Sequence, residues 1–428
     1  MSRIRRSRAA AEGASYLYVC ALVTVLRLFL PYGGYTRIME GKYACFFAIT
    51  LGYLGAMGAA APSGRPRMTP VRWCAAAYLA VSALSALFSP YGAATLLGGT
   101  RHDGLVTLAL YVVSFYFLSR YLRPDRRLLY LAAVSTALCA LLVLVQTTGR
   151  NPLGLYPAGL NYYDGDVAYA GVYAGAAGNA DFTGFLLALA ASVLTFALAR
   201  LRLWALTPAL ILALWALRRL EVSAAWAGLA FAAVWGHALL VPKRRKTMLL
   251  ASALLSAAAL VFVWRYGGGN QTLTEASRLL RGEFDGAFGS GRLSIWRDCL
   301  YLVRKRPLLG GGPDTLWLRG LETLNWYRAD GSVTPVDITA AHNEYLNILV
   351  NQGAPALAAY LALLILALAR CFRRASEPRF ALCGAGLLCY AAMAMFSIST
   401  CITAPYVWLL LALAAGESGA PSQKEKSS

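Results

Sequence analysis

Apolar residues run along this chain in long blocks separated by short basic connections, from near the N-terminus almost to the end. Blocks of roughly 17 to 24 residues are long enough to cross the hydrocarbon core of a bilayer as helix, and about twelve are predicted. They lie near 14–31, 42–61, 71–89, 104–121, 128–148, 181–199, 203–220, 222–241, 247–264, 346–369, 380–396 and 398–415. The expected fold class is therefore an all-α membrane protein.

If the spans alternate, two of the outer connections are long: Gly149 to Ala180, and Arg265 to Ala341. The first is dense in Gly and Tyr and reads as a compact, partly buried loop; tyrosines suit a sugar-facing surface or an aromatic belt at the interface. The second contains "GSGRLSIWRDCLYLVRKRP", which predicts an amphipathic helix. Ser290 would cap it, Leu293, Trp296, Leu300 and Val303 would form one stripe, and Pro307 with Gly310, Gly311 and Gly312 would end it. Such a helix would lie on the membrane surface, its stripe against lipid or the bundle, with Arg292 and Arg297 free to face a head group. The expected organisation is nine spans over 1–264 with an outer loop at 149–180, a helical extracytoplasmic loop over 265–341, three spans over 342–415 and a tail over 416–428.

Composition agrees with the pattern: 58% of residues are hydrophobic and 14% charged. A net charge of +20 raises the possibility of nucleic acid, but the cations sit at helix ends rather than on one basic domain. Membrane orientation explains them. Segments such as "RIRRSR", "RYLRPDRR" and "PKRRK" fall on one face when spans alternate, which puts both termini in the cytoplasm. Of nine cysteines only Cys299 falls in an outer loop, so no disulfide framework is expected. The first apolar segment is as long as a full span and lacks a small-residue cleavage site, which argues against a removed signal peptide. A carrier of two six-helix halves is the alternative to an enzyme. Its main insertion would come between spans six and seven, where this chain has only "RLRLW".

The chain has three histidines, and one opens "AHNEYLNILVNQGAPALAAYL", where a neutral polar group precedes a long apolar run. His342 thus stands near a helix N-terminus on the outer side, a position that favours an anionic ligand. This stretch resembles the signature of the O-antigen ligase and polymerase family, a His, an Asn, a Leu and then a Gly entering a span. "GRLSIWRDCLYLVRKRPLLGGGPDTLW" resembles that family's Arg-x-x-x-Trp helix with its Pro and Gly-rich turn, and "GAAGNADFTGFLLALA" and "GGTRHDGLVTLALY" are similar to two of its loop-to-span junctions. The resemblance implies a glycosyltransferase-C-like architecture and transfer of a glycan from a polyprenyl (undecaprenyl) diphosphate to a hydroxyl acceptor, at the outer face of the bacterial cytoplasmic membrane. It implies no metal and no nucleotide cofactor, and places the chain in polysaccharide biosynthesis of the cell envelope. The partners are the lipid bilayer, the donor and a glycan, lipid or protein acceptor.

Breaking the bond from anomeric carbon to diphosphate leaves extra negative charge, which needs fixed cations near the membrane plane. Arginine grips phosphate oxygens in two-pronged fashion. Arg292 matches the family's loop arginine and is the first candidate; His342 is the candidate general base, with Asn343 beside it. The family's second arginine, after a Ser at the start of a central span, is missing from "RRLEVSAAWAGLAF", where Ser223 is followed by Ala224. Arg218 and Arg219 stand one to two turns earlier and are expected to replace it, with Arg265 a further candidate; Arg27, inside the first span, is expected to snorkel. Asn179 and Asp181 would bond sugar hydroxyls or cap their span. Gly310 to Gly312 would form an anion-binding nest or a plain helix stop. His102 would touch the glycan or sit solvated in its loop, and His237 would be structural.

Overall fold

Each apolar block folds as helix, as a bilayer requires where no water can satisfy free backbone groups. The computed structural model describes residues 3–60, 68–155, 174–286, 288–289, 291–321, 324–327, 333–336 and 338–416. Its apolar helices are Arg3–Ala21 (extended by a π-turn, Leu22–Leu26), Ile38–Ala60, Pro70–Leu87, Leu105–Tyr121, Arg126–Gln146, Ala180–Leu201, Thr207–Leu220, Ser223–Leu240, Arg245–Trp264, Ala354–Arg373, Pro378–Met393 and Ala404–Ala415. Among the described residues, eight helices are long and apolar enough to cross a membrane. Leu105–Tyr121, Thr207–Leu220, Pro378–Met393 and Ala404–Ala415 are shorter. The chain is a multi-pass all-α membrane protein, with one small antiparallel ribbon, Leu324–Tyr327 paired with Val333–Val336, in the second long loop.

Two boundaries depart from the sequence expectation. The block at 346–369 is broken into a short helix, Glu344–Gln352, and a span that starts at Ala354. Gly353 makes the break. It adopts φ +87°, and a β-carbon there would overlap the Leu308 carbonyl, while Ala354 N donates to Pro307 O at 2.8 Å. The last helix begins at Ala404 rather than near 398, because Thr400 N bonds the Thr403 hydroxyl at 3.0 Å and holds a buried turn ahead of it.

The centre of the bundle is Pro378–Met393, which is buried along most of its length and packs on Ser223–Leu240 and Ala180–Leu201. Lipid tails are as apolar as these side chains, so packing relies on small residues and interhelical hydrogen bonds. Gly228 meets Cys389 and Met393, where a side chain would collide. Ser15 bonds Tyr53, and Tyr18 bonds Thr50, each at 3.0 Å. Arg245–Trp264 lies at the periphery with almost none of its surface buried.

Arg27 does not snorkel. It is buried, with its guanidinium bonded to the Thr136 hydroxyl and 4.9 Å from the Tyr406 ring. Lys42 beside it donates to the carbonyls of Leu26 and Arg27 at 2.6 and 2.9 Å. These are the free carbonyls at the end of the first helix, where a cation is favoured.

A second, smaller apolar core lies between helices Arg292–Lys305 and Glu344–Gln352. It contains Ile295, Cys299, Leu316, Ile338, Ala341 and Val350, with Trp296, Leu302 and Val303 packed on it. The amphipathic stripe is therefore rotated from the expected one. Leu300 is 49% exposed, and the buried line runs through Ile295, Cys299 and Leu302, because the helix packs on the Glu344–Gln352 helix and the turn carrying Leu316 rather than lying free on lipid.

Candidate active site

His342 sits one residue before the cap of the Glu344–Gln352 helix. Asn343 is extended, and its Oδ1 accepts from Leu346 N at 3.0 Å. His342 itself is left-handed, φ +49°, a conformation uncommon for residues other than glycine. Its neighbours hold it there. Trp296 Nε1 donates to Ala341 O at 3.0 Å, Ala341 N to Asn347 Oδ1 at 3.3 Å, and Glu344 N to Ala394 O at 2.8 Å. Glu344 is buried, and its Oε2 accepts from Ser399 N at 2.7 Å; burial raises its carboxyl to about 7. A strained residue held from several sides points to function.

Arg292 opens the neighbouring helix, directly after Gly291 at φ +81°. One guanidinium nitrogen donates to Gly289 O at 2.9 Å, and its buried Nε has no hydrogen-bond partner among the described residues. The imidazole of His342 is half-buried. That burial, and then the positive charges of Arg101 and Arg292, lower its pKa to about 3, so it is neutral at physiological pH.

Arg101 comes from the connection preceding helix Leu105–Tyr121. Its Nε and Nη2 donate to Thr339 Oγ1 at 3.3 and 3.1 Å. Asp314 ties this loop to the second long loop: its Oδ2 accepts from Gly99 N at 2.9 Å and Asp103 N at 3.2 Å. A β-carbon on Gly98 would overlap that carboxylate. Burial raises the pKa of both Asp103 and Asp314. Among the described residues, five other than glycine have positive φ. Arg202 and Glu221 end helices; His102 lies in the loop that Asp314 pins, and Arg101 of that loop acts on His342.

The Gly310–Gly312 run is not an anion nest. Gly310 N bonds Arg306 O at 3.0 Å, Gly311 N bonds Val350 O at 3.2 Å and Gly312 N bonds Asn351 O at 2.7 Å. The run stops its own helix and caps the carbonyl end of Glu344–Gln352, where Arg319 also bonds Val350 O at 2.7 Å.

The remaining candidates are dispersed. Arg218 pairs with Glu221 at 3.4 Å, both exposed, and Arg219 donates to Thr147 O at 3.3 Å. Arg265 is exposed, 6.0 Å from the Trp264 ring, and Arg297 is exposed beside Asp298 at 3.0 Å. Asn179 caps helix Ala180–Leu201 by accepting from Asp181 N at 2.8 Å and Phe182 N at 3.3 Å, which leaves Asp181 in the first turn. His102 stacks on Tyr43 with ring centres 4.4 Å apart, and His237 is exposed near the end of its helix. Ser290, the Tyr-rich centre of the first long loop and the 417–428 tail lie outside the described residues.

Sequence reasoning missed Arg101, Asp314 and Glu344. The signal for Arg101 is present in "GGTRHDG", where an arginine on the expected outer side follows two glycines. Residues 208–361 match the family described as O-antigen ligase, a stretch that holds Arg292 and His342 and excludes Arg101. Comparison with individual curated proteins found no match.

Proposed function

We propose that this membrane protein, which carries an O-antigen ligase family domain over residues 208–361, transfers a glycan from a polyprenyl diphosphate to a hydroxyl acceptor. One observation carries the reading: the bond from Trp296 to the Ala341 carbonyl joins the helix led by Arg292 to the turn bearing His342, and the Arg292 charge acts on an imidazole kept neutral.

In the proposed step the acceptor oxygen attacks the anomeric carbon from the face opposite the diphosphate, so the configuration inverts. The proton of the acceptor hydroxyl passes to His342. The bond from anomeric carbon to diphosphate oxygen breaks, and its electron pair leaves on the lipid diphosphate, where Arg292 offsets the added charge. With a pKa near 3 the imidazole is a weak base. Burial holds that pKa low first, and the charges of Arg101 and Arg292 add to this; a diphosphate seated on Arg292 offsets one of these charges, so His342 becomes a better base as the donor binds. A positioned general base supplies about 10²–10⁴ in rate, and a group stabilising the developing charge about 10²–10³. No metal enters this step.

The wider proposal has about twelve spans, a glycosyltransferase-C-like arrangement and both termini in the cytoplasm of a bacterium, with catalysis at the outer face of its inner membrane. The donor is undecaprenyl diphosphate-linked; ligase and polymerase forms differ only in the acceptor. A lipid-linked glycan carrier is the second reading, favoured by buried cations inside the bundle. Arg27 and Lys42 are such cations, but they bond Thr136 and the carbonyls that end the first helix.

The test supplies purified protein with a lipid diphosphate oligosaccharide and an acceptor, in EDTA, and follows release of free carrier. Release that is lost in His342→Ala supports the transferase. Translocation without release, surviving the same change, sinks it.

A further inference from the structure

We propose that Arg101 supplies the second cation of the donor site and that Asp314 is the residue that positions it. This rests on the transferase reading, since a diphosphate carries two phosphoryl groups and Arg292 is one guanidinium. Arg101 and Arg292 are the two cations whose charge reaches His342. Arg101 is half-buried, and among the described residues it has no ion-pair partner; the hydroxyl of Thr339 takes two of its five N–H donors. Asp314, Asp103 and Glu344 act on the Arg101 charge without forming an ion pair, so a guanidinium kept partly out of water retains donors for an anion. Arg218 and Arg219, the pair expected from the sequence, are instead exposed and bonded to Glu221 and the Thr147 carbonyl.

The loop is built to hold this one side chain in place. Asp314 pins the backbone on both sides of Arg101, at Gly99 and Asp103, and Gly98 must lack a side chain for it to do so. Asp314 is itself left-handed, and its carbonyl accepts from Trp317 Nε1 at 3.0 Å. It therefore acts through the loop, while Arg101 acts on the ligand. Arg101 lies outside the 208–361 family match, so the two cations of the site come from distant parts of the chain.

The test uses full-length protein in lipid nanodiscs with the lipid diphosphate glycan as donor. Arg101→Ala is expected to raise donor KM and lower kcat/KM by about 10²–10³. It also moves the acid limb of kcat/KM to higher pH, because a cation acting on His342 is gone. The other charged groups at the junction, Arg292, Asp103, Asp314 and Glu344, remain in that variant. Arg101→Lys keeps the charge, so the acid limb stays and only the KM defect persists. Asp314→Ala shares the KM defect and adds nothing to it in the double variant with Arg101→Ala. Unchanged KM and acid limb in Arg101→Ala, with transfer still lost in His342→Ala, overturn this inference and leave the transferase standing. So does a KM defect found in Arg218→Ala and Arg219→Ala instead. If transfer survives both Arg101→Ala and His342→Ala, the roles of both residues fall; if the wild-type protein releases no carrier from the donor, the transferase reading itself has failed. Should Arg101→Ala not accumulate, the Lys variant decides: wild-type donor KM in it overturns the assignment.

Discussion

The indole of Trp296 and the carbonyl of Ala341, 3.0 Å apart, fasten the helix that begins at Arg292 to the turn that carries His342. The two candidate catalytic groups lie about fifty residues apart in sequence, and this bond fixes their relative position. Trp296→Phe keeps most of the apolar ring and removes the N–H. It is expected to cost about 1 kcal/mol of stability, the worth of one hydrogen bond, and to lower kcat by about 10-fold through misplacement of the cation. Thermal unfolding and single-turnover transfer measured on the same preparation check both; a stability loss without a rate loss removes the positioning role.

The backbone of His342 separates chemistry from folding. At φ +49° glycine relieves strain and asparagine tolerates it. His342→Gly and His342→Asn should therefore fold at wild-type levels or better, while transfer falls by about 10²–10⁴. Full activity in a well-folded Asn variant would show that the imidazole takes no proton.

The membrane character and most helix positions were legible because span length is set by bilayer thickness and needs no tertiary information. His342 and Arg292 were nominated by local pattern and resemblance, and the structure sets them on neighbouring elements. What failed depended on contacts between distant segments. The surface helix buries Ile295 and Cys299 instead of Leu300 because its partner is the Glu344–Gln352 helix, which no local periodicity names. Gly310–Gly312 allowed an anion nest or a plain helix stop, and only the bonds to the distant carbonyls of Val350 and Asn351 decide for the stop. Arg101 reaches the junction only because Asp314 pins its loop from more than two hundred residues away in sequence. Charge patterning ranks arginines by side of the membrane, and it cannot say which one lies beside the histidine.

Glu344 gives a prediction with a definite sign. Burial raises its pKa from 4.5 to about 7, so between those values the folded protein holds a proton that the unfolded chain releases. Its contribution to stability is present below pH 4.5 and is lost as pH rises through 7. Glu344→Gln keeps an oxygen that accepts from Ser399 N and cannot ionise. The difference in Tm between wild type and this variant should shift in favour of the variant from pH 5 to pH 8. The titration of His342 runs the other way but is common to both proteins and cancels. A Tm difference independent of pH would show that Glu344 is ionised throughout.

Gly353 tests whether the break ahead of the tenth apolar helix is part of the site. Its φ of +87° disfavours any side chain, and the atom that a β-carbon would strike is the Leu308 carbonyl, a backbone group that cannot swing aside. Gly353→Ala should cost more than 1 kcal/mol, beyond the usual penalty for an alanine in this region. Relief can come only by moving the Pro307–Gly312 turn or the Glu344–Gln352 helix, and both are tied to the same carbonyls of Val350 and Asn351. The strain therefore reaches His342 through its own helix. Transfer should fall in this variant although residue 353 bonds no ligand, and the loss should appear in kcat more than in donor KM. A variant that loses stability and keeps kcat would show that the turn at His342 is held by Trp296 and Ser399 alone.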